Sequence, residues 1–344
     1  MLFVLWVPLL LQLVIPVGLL FWLAHGRPQN QVSWLLRVIL VTCYLTGMSA
    51  GGLWLVLPWY TPVIYGLALV LAVAHSIPAR TLPRLPTGRR GLSVALLTGS
   101  LATFFAGLAW YILAGRLPPV HAIDLSFPLR GGSYLVVNGG RHGLINAHLA
   151  TLQGERFRPW RGQSYGVDIE KIDRWGFRAR GVLPADPTVY AIFGQPVYAP
   201  CAGEVIQAVD GVYDMPPPRM DREHMAGNHV FLECSASWIL LGHLQKGSVR
   251  VRAGDSVQTN DGLGRVGNSG NTGEPHLHIH AQRRGTAEAP LSGDPLPIRF
   301  GDRYPVRNAR ITVLSGTASG RTRKGIPNRA VQTLKKASSR LHTE

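Results

Sequence analysis

No aspartate or glutamate occurs before Asp124 in this chain of 344 residues. A water-soluble domain carries charges of both signs on its surface, so the first third is not the opening of one. Cysteine is also scarce. Of three cysteines, Cys43 falls in an apolar run, which leaves Cys201 and Cys234 and at most one disulfide in the remainder. Internal repeats are absent. Basic residues are not interleaved with aromatics in the way that stacks bases, so the excess of Lys and Arg does not point to nucleic acid.

Four apolar runs fill the acid-free region: Leu2–Ala24, Val38–Leu57, Val63–Ile77 and Leu92–Ala114. At about 1.5 Å per residue, three of them are long enough to cross a hydrocarbon layer of roughly 30 Å, and the third run is short. A cleaved signal peptide fits the first run poorly, because no basic segment precedes its apolar stretch and three more apolar segments follow. Arg27 and Arg37 flank the first loop, Arg80, Arg84, Arg89 and Arg90 lie in the loop before the fourth run, and the connector PWYTP carries no basic residue. Basic loops mark the cytoplasmic side, so the expected topology leaves the N-terminus and everything after Ala114 outside. The localisation expected is a multi-pass protein of the cytoplasmic (inner) membrane, with its C-terminal part in the periplasm or outside the cell.

Seven of the 35 Lys and Arg residues lie at or before Arg116, which leaves 28 against all 19 acids and a net charge of +9 on the exported part. Such a surface attracts polyanions, which outside a bacterium are wall polymers and lipid head groups. From Leu117 to about Arg310 the chain reads as short strands broken by Gly and Pro, and PVYAPCAGEVIQAV, GNHVFLEC and SWILLGHL alternate apolar with small or polar residues. The organisation expected is an all-α membrane domain of about four transmembrane helices over 1–116, a mainly antiparallel β domain over 117–312, and a basic tail over 313–344. Cys201 and Cys234 fall on segments expected to be neighbouring strands. They form either one disulfide or two separately buried thiols.

In GNSGNTGEPHLHIHAQ, three histidines recur at every second position. Alternation on an extended strand places His276, His278 and His280 on one face. Asp168 sits in the apolar setting YGVDI, where a carboxylate is costly to bury unless it is paired or holds a cation. His142, His148, His229 and His243 add further imidazoles. A catalytic zinc site asks for about three imidazole or carboxylate ligands, a position left for water, and nearby groups to take and return protons. His-x-His spacing alone does not say which histidine is ligand and which is proton carrier.

The succession YGVDI, GQPVYAPCAGEVI, GNHVFLEC, LLGHLQ, VRAGDSV, GRVGNSGNTGEPHLHIH resembles the lysostaphin-type zinc metallopeptidases, also called the β-lytic or LytM-like endopeptidases, over roughly residues 146–282. The resemblance implies a β domain of the duplicated hybrid motif type with a groove across the sheet, one Zn²⁺, and hydrolysis of peptide bonds in peptidoglycan cross-links or bridges. It implies Asp168 and His278 as metal ligands and His243 and His276 as the catalytic pair. The chain departs from the family in one respect. The usual first ligand is a histidine four residues before the aspartate, and that position is Ser164. His148 is the expected replacement, from an Asn-x-His segment that resembles a variant branch of the family, with His142 as the other upstream candidate. His280 takes a place that is often Glu and is expected to orient a ligand. The loop RFRPWRG is expected either to contact substrate or to be a solvated flap, and the Gly and Asn residues before His276 are expected to leave space for a substrate chain.

Three functions follow. The first is a membrane-anchored zinc metalloendopeptidase acting on peptidoglycan or another cell-envelope peptide. The second is an inactive wall-binding or hydrolase-activating domain, which the loss of His-x-x-x-Asp favours. The third is a small transporter or sensor, for which the spans show no acidic residue and only His75 as a candidate polar site.

Overall fold

The computed structural model describes residues 2–77 and 82–314. Arg80 and the basic tail from 315 onward lie outside the described residues. The helical N-terminal region comprises α1 (Leu2–Leu9), a π-type turn (Leu10–Val14), α2 (Ile15–His25), α3 (Gln31–Gly51), α4 (Thr61–Ser76) and α5 (Gly88–Ala114). Three stretches, Trp6–His25, Gln31–Gly51 and Gly88–Ala114, are long and apolar enough to cross a membrane, whereas Thr61–Ser76 is shorter. The second apolar run does not stay helical throughout. Gly52 caps α3 with its amide on the Met48 carbonyl, and Trp54 just beyond it packs back into the helical core.

Proline accounts for the π-type turn. Pro16 has no N–H for the Gln12 carbonyl, and the local shift of register frees the Leu11 carbonyl as well. Tyr65 donates its hydroxyl to Gln12 at 2.6 Å and Tyr44 donates to Leu11 at 2.7 Å, so helices α4 and α3 satisfy both groups. Gly47 faces Ala109 where α3 crosses α5, which lets the backbones approach closely. Leu67, Val70, Leu71, Leu97 and Phe104 point outward, an apolar surface suited to lipid.

The β-sheet domain begins with β1 (Ile123–Asp124) and β2 (Gly132–Asn138), and continues through β3 (Val167–Ile172), β4 (Pro196–Tyr198), β5 (Gly203–Val209), β6 (Asn228–Cys234) and β7 (Ser237–Leu244). Then come β8 (Ser256–Val257), β9 (Gly262–Arg265), β10 (Leu277–Gln282), β11 (Pro295–Leu296), β12 (Ile298–Arg299) and β13 (Arg310–Val313). The main sheet runs in the order β13-β2-β3-β10-β7-β6-β5-β8, with β11 added beside β10, and all its pairings are antiparallel. One face is packed by Val167, Ile169, Leu241, Leu277, Ile279 and their neighbours. The alternation that buries these residues turns Asp168, His278 and His280 to the other face. Cys201 and Cys234 are joined in a disulfide between the approach to β5 and the end of β6.

Candidate metal centre

The register of three central strands assembles the site. On β10, His278 stands opposite Asp168 of β3 on one side and Gly242 of β7 on the other. His243, the residue after Gly242, has φ of 60°, a left-handed conformation uncommon outside glycine. This bend lies beside β10, and the His243 ring comes within 4.8 Å of His276 and 5.8 Å of His278, centre to centre. Strand geometry thus brings His243, His276, His278 and Asp168 together from three segments of the chain.

His148 arrives from outside the sheet. It lies in a 3-10 segment (Ala147–Leu152) whose N-cap, Asn146, accepts the His148 amide at 3.2 Å. Its Nε2 lies 2.9 Å from Asp168 Oδ2, and His278 Nδ1 lies 2.8 Å from Asp168 Oδ1. The ligand-type atoms of His148, Asp168 and His278 all fall within 4.8 Å of one another. Two imidazole nitrogens and a carboxylate oxygen at this spacing fit a small borderline cation such as zinc.

His142, the other upstream candidate, is elsewhere. Its ring stacks on Tyr111 of α5, and its Nδ1 donates to the Tyr111 carbonyl at 2.6 Å. Ser164 is fully buried, and its hydroxyl reaches the Arg161 carbonyl at 2.6 Å and Thr151 Oγ1 at 2.8 Å. Thr151 in turn donates to the His148 carbonyl at 2.7 Å. The serine in the family's usual ligand position therefore braces the segment that carries His148.

Neighbouring groups set the tautomers. Behind the ring, His278 Nε2 lies 2.9 Å from His280 Nδ1, His280 Nε2 lies 3.3 Å from Gln282 Oε1, and Gln282 donates to the Pro290 carbonyl at 2.7 Å. His280 is thus behind His278 and orients it, the relation common at metal-bound imidazoles. His243 Nδ1 donates to the Ser269 carbonyl at 2.8 Å and His276 Nδ1 donates to the Glu274 carbonyl at 2.9 Å, which leaves Nε2 of each ring free to face the site. His276 Nε2 is 3.5 Å from Asp168.

Burial disfavours charge on Asp168, but His148 and His276 outweigh it and hold its pKa well below the ordinary carboxylate value. Burial lowers His278 to about 4 and, with His276 and His278 nearby, pushes His243 well below its usual value, so both are neutral imidazoles. Burial also acts against His276, yet Asp168 raises it to about 9. A cation on Asp168 takes up the same carboxylate charge and returns His276 toward neutrality.

The Gly and Asn residues before His276 do not leave open space. Gly270, at φ of 87°, and Gly267 lie so close to Gly227 and Gln245 that neither has room for a side chain. The buried Ser269 donates to Leu244 at 2.7 Å and offers its carbonyl to His243. This turn serves to hold His243. The RFRPWRG loop is likewise seated, with Gly162 pressed against the Gln282 side chain.

Sequence reading did not find the residues behind the site. Asn138 Nδ2 donates to Asp168 Oδ2 at 2.8 Å, and Arg307 Nη2 donates to Asn138 Oδ1 at 2.8 Å. Arg178 Nε donates to Glu274 Oε2 at 2.8 Å. Glu170 is buried 3.9 Å from Arg178 Nε, and burial together with the nearby Glu274 pushes its carboxyl well above the usual range. No short motif marks these positions.

Residues 188–290 match the model of peptidase family M23, and the chain carries a domain of that family. The matched segment holds His243, His276 and His278 and begins after His148 and Asp168. Among solved structures, one described as a peptidase M23 from Pseudomonas aeruginosa is 19% identical, covers 48% of this chain and 48% of its own, and has a TM-score of 0.26. Lysostaphin from Staphylococcus simulans is 20% identical over 37% of this chain and 40% of its own, with a TM-score of 0.24. A zinc-containing peptidase from Vibrio cholerae is 20% identical over 34% of this chain and 46% of its own, with a TM-score of 0.20. The chain thus spans less than half the length of each of the three. Among curated proteins, none matches it by sequence.

Proposed function

We propose that this chain is a membrane-anchored zinc metalloendopeptidase that hydrolyses peptide bonds in peptidoglycan cross-links or stem peptides outside the cytoplasmic membrane. The observation that carries the reading is the convergence of His148, Asp168 and His278 within 4.8 Å, with two further imidazoles, His243 and His276, against them. His148, Asp168 and His278 would hold the metal. Bound zinc supplies Lewis acidity, which lowers the pKa of water toward neutrality and polarises a carbonyl oxygen.

The chain's own residues do the rest. His243 and His276 each present Nε2 to the site, with Nδ1 engaged by a carbonyl. One Nε2 would accept the proton of the attacking water, and the imidazolium so formed would pass that proton to the leaving amine. Their buried, hydrogen-bonded rings need little reorganisation as charge develops. Helices that cross the bilayer, with basic loops inside, place this chemistry on the side where wall peptides lie.

Digestion of purified peptidoglycan by the full chain, with and without a chelator, tests the reading. New fragments should appear and a chelator should abolish them. His278→Ala should lose zinc, whereas His276→Ala should retain about one zinc per chain and lose turnover by roughly 100-fold or more, the range of a general acid or base. Zinc retained at parental affinity by His278→Ala would refute the ligand set. Zinc binding without any cleavage would favour an inactive wall-binding domain, the reading that Ser164 in the usual ligand position supports.

A further inference from the structure

The end of α3 and the connector after it, residues 50–59, dock beside the metal site on the sheet face that carries Asp168. Leu55 is buried against Leu135, Val137 and Ile172 on β2 and β3, with Leu53 and Trp59 beside it. Trp59 lies against Gly176, where no side chain would fit, and under the guanidinium of Arg310 at 3.9 Å. Asn308 donates to the Gly52 carbonyl at 2.8 Å, and Arg116 donates to the Ala50 carbonyl at 3.2 Å. These contacts join the helical region to the sheet.

Two arginines, Arg178 buried and Arg307 half-buried, extend that junction to the site. Arg307 donates Nη1 to the Gly51 carbonyl at 3.1 Å and Nη2 to Asn138, which holds Asp168. Arg178 donates Nη1 to the Leu55 carbonyl at 2.8 Å and Nε to Glu274, whose own carbonyl accepts His276. Each guanidinium therefore has one edge on a carbonyl of the α3 end or connector and another on a residue that fixes a metal-site side chain. The planar fork of arginine suits this two-sided role, which a lysine ammonium does not reproduce.

We propose that Arg178 and Arg307 are positioning residues through which residues 50–59 of the helical region form part of the peptidase site, Arg307 acting on Asp168 and Arg178 on His276. The inference rests on the metallopeptidase reading above. It makes the helices a working part of the site rather than an anchor alone, so displacement of α3 is felt at two of the five site residues.

The test uses the full chain in lipid nanodiscs, with zinc affinity measured by competition against a chelating indicator and kcat and KM measured on purified peptidoglycan. Arg307→Gln should weaken zinc binding roughly 10-fold or more, as loss of a partner behind a ligand commonly does. Arg178→Gln should leave zinc affinity and KM near parental values and lower kcat roughly 10-fold, since His276 is displaced and not removed. Arg178→Lys should not restore kcat. Trp59→Ala, which touches no polar group of the site, should lower kcat in the same direction, and Trp59→Phe should recover most of it, which separates displacement from unfolding. Parental zinc affinity in Arg307→Gln together with parental kcat in Arg178→Gln and Trp59→Ala overturns the proposal. If the parent binds zinc but cleaves nothing, the peptidase reading fails, and the zinc affinity of Arg307→Gln still decides the positioning role. A parent that binds no zinc overturns both.

Discussion

At the scale of single residues, the proposed ligand set exchanges the roles of Ser164 and His148 relative to the expected pattern. A buried hydroxyl replaces the usual imidazole, and the imidazole comes from a segment 16 residues earlier that the hydroxyl helps to brace. His148→Ala should therefore lose zinc as completely as His278→Ala, while His142→Ala, whose ring stacks on Tyr111, should keep it. Ser164→Ala should cost about 1 kcal/mol of stability, the net value of a hydrogen bond, and weaken zinc binding only modestly. Metal content of the purified variants checks all three. An equal loss of metal from His142→Ala would move the first ligand. The alternation of His276, His278 and His280 was legible because strand period alone places them on one face. Asn138, Arg178 and Arg307 were not legible. Arg307 and Asn138 are 169 positions apart, and a lone arginine near the end of a basic chain carries no local signal.

At the scale of elements, β3, β10 and β7 carry the chemistry and β6 carries a pH dependence. His229 on β6 donates Nδ1 to the Gly227 carbonyl at 2.7 Å, and burial pushes its pKa below the usual 6.5. The folded state thus prefers the neutral ring, so this contribution is fully present above pH 6.5 and is lost as pH falls below that value. His229→Gln should flatten the acid side of the stability profile in urea denaturation. An unchanged slope below pH 6.5 would show that other groups carry it. The disulfide between Cys201 and Cys234 closes a loop with a sequence separation of 33. Replacing both by serine should lower stability by about 4 kcal/mol in the same assay, by the chain-entropy model. Strand pairing was visible in the alternating segments, but whether the two thiols met depended on register, which composition does not encode.

At the scale of the whole molecule, the four apolar runs and the β-rich remainder were readable from composition, and the contact between them was not. The PWYTP connector reads as a plain loop, although its Trp59 packs on the β-sheet domain and the Leu55 just before it accepts from Arg178. Interfaces of this kind combine backbone carbonyls with distant arginines, and neither leaves a periodic trace. On the proposed reading, the same contact limits the enzyme's reach. Only eight residues separate the end of α5 at Ala114 from β1 at Ile123, and Arg116 is held to both Ala50 and Arg307. No stalk lifts the catalytic strands away from the bilayer. The peptides within range are then those lying against the membrane surface, and those farther out stay beyond it.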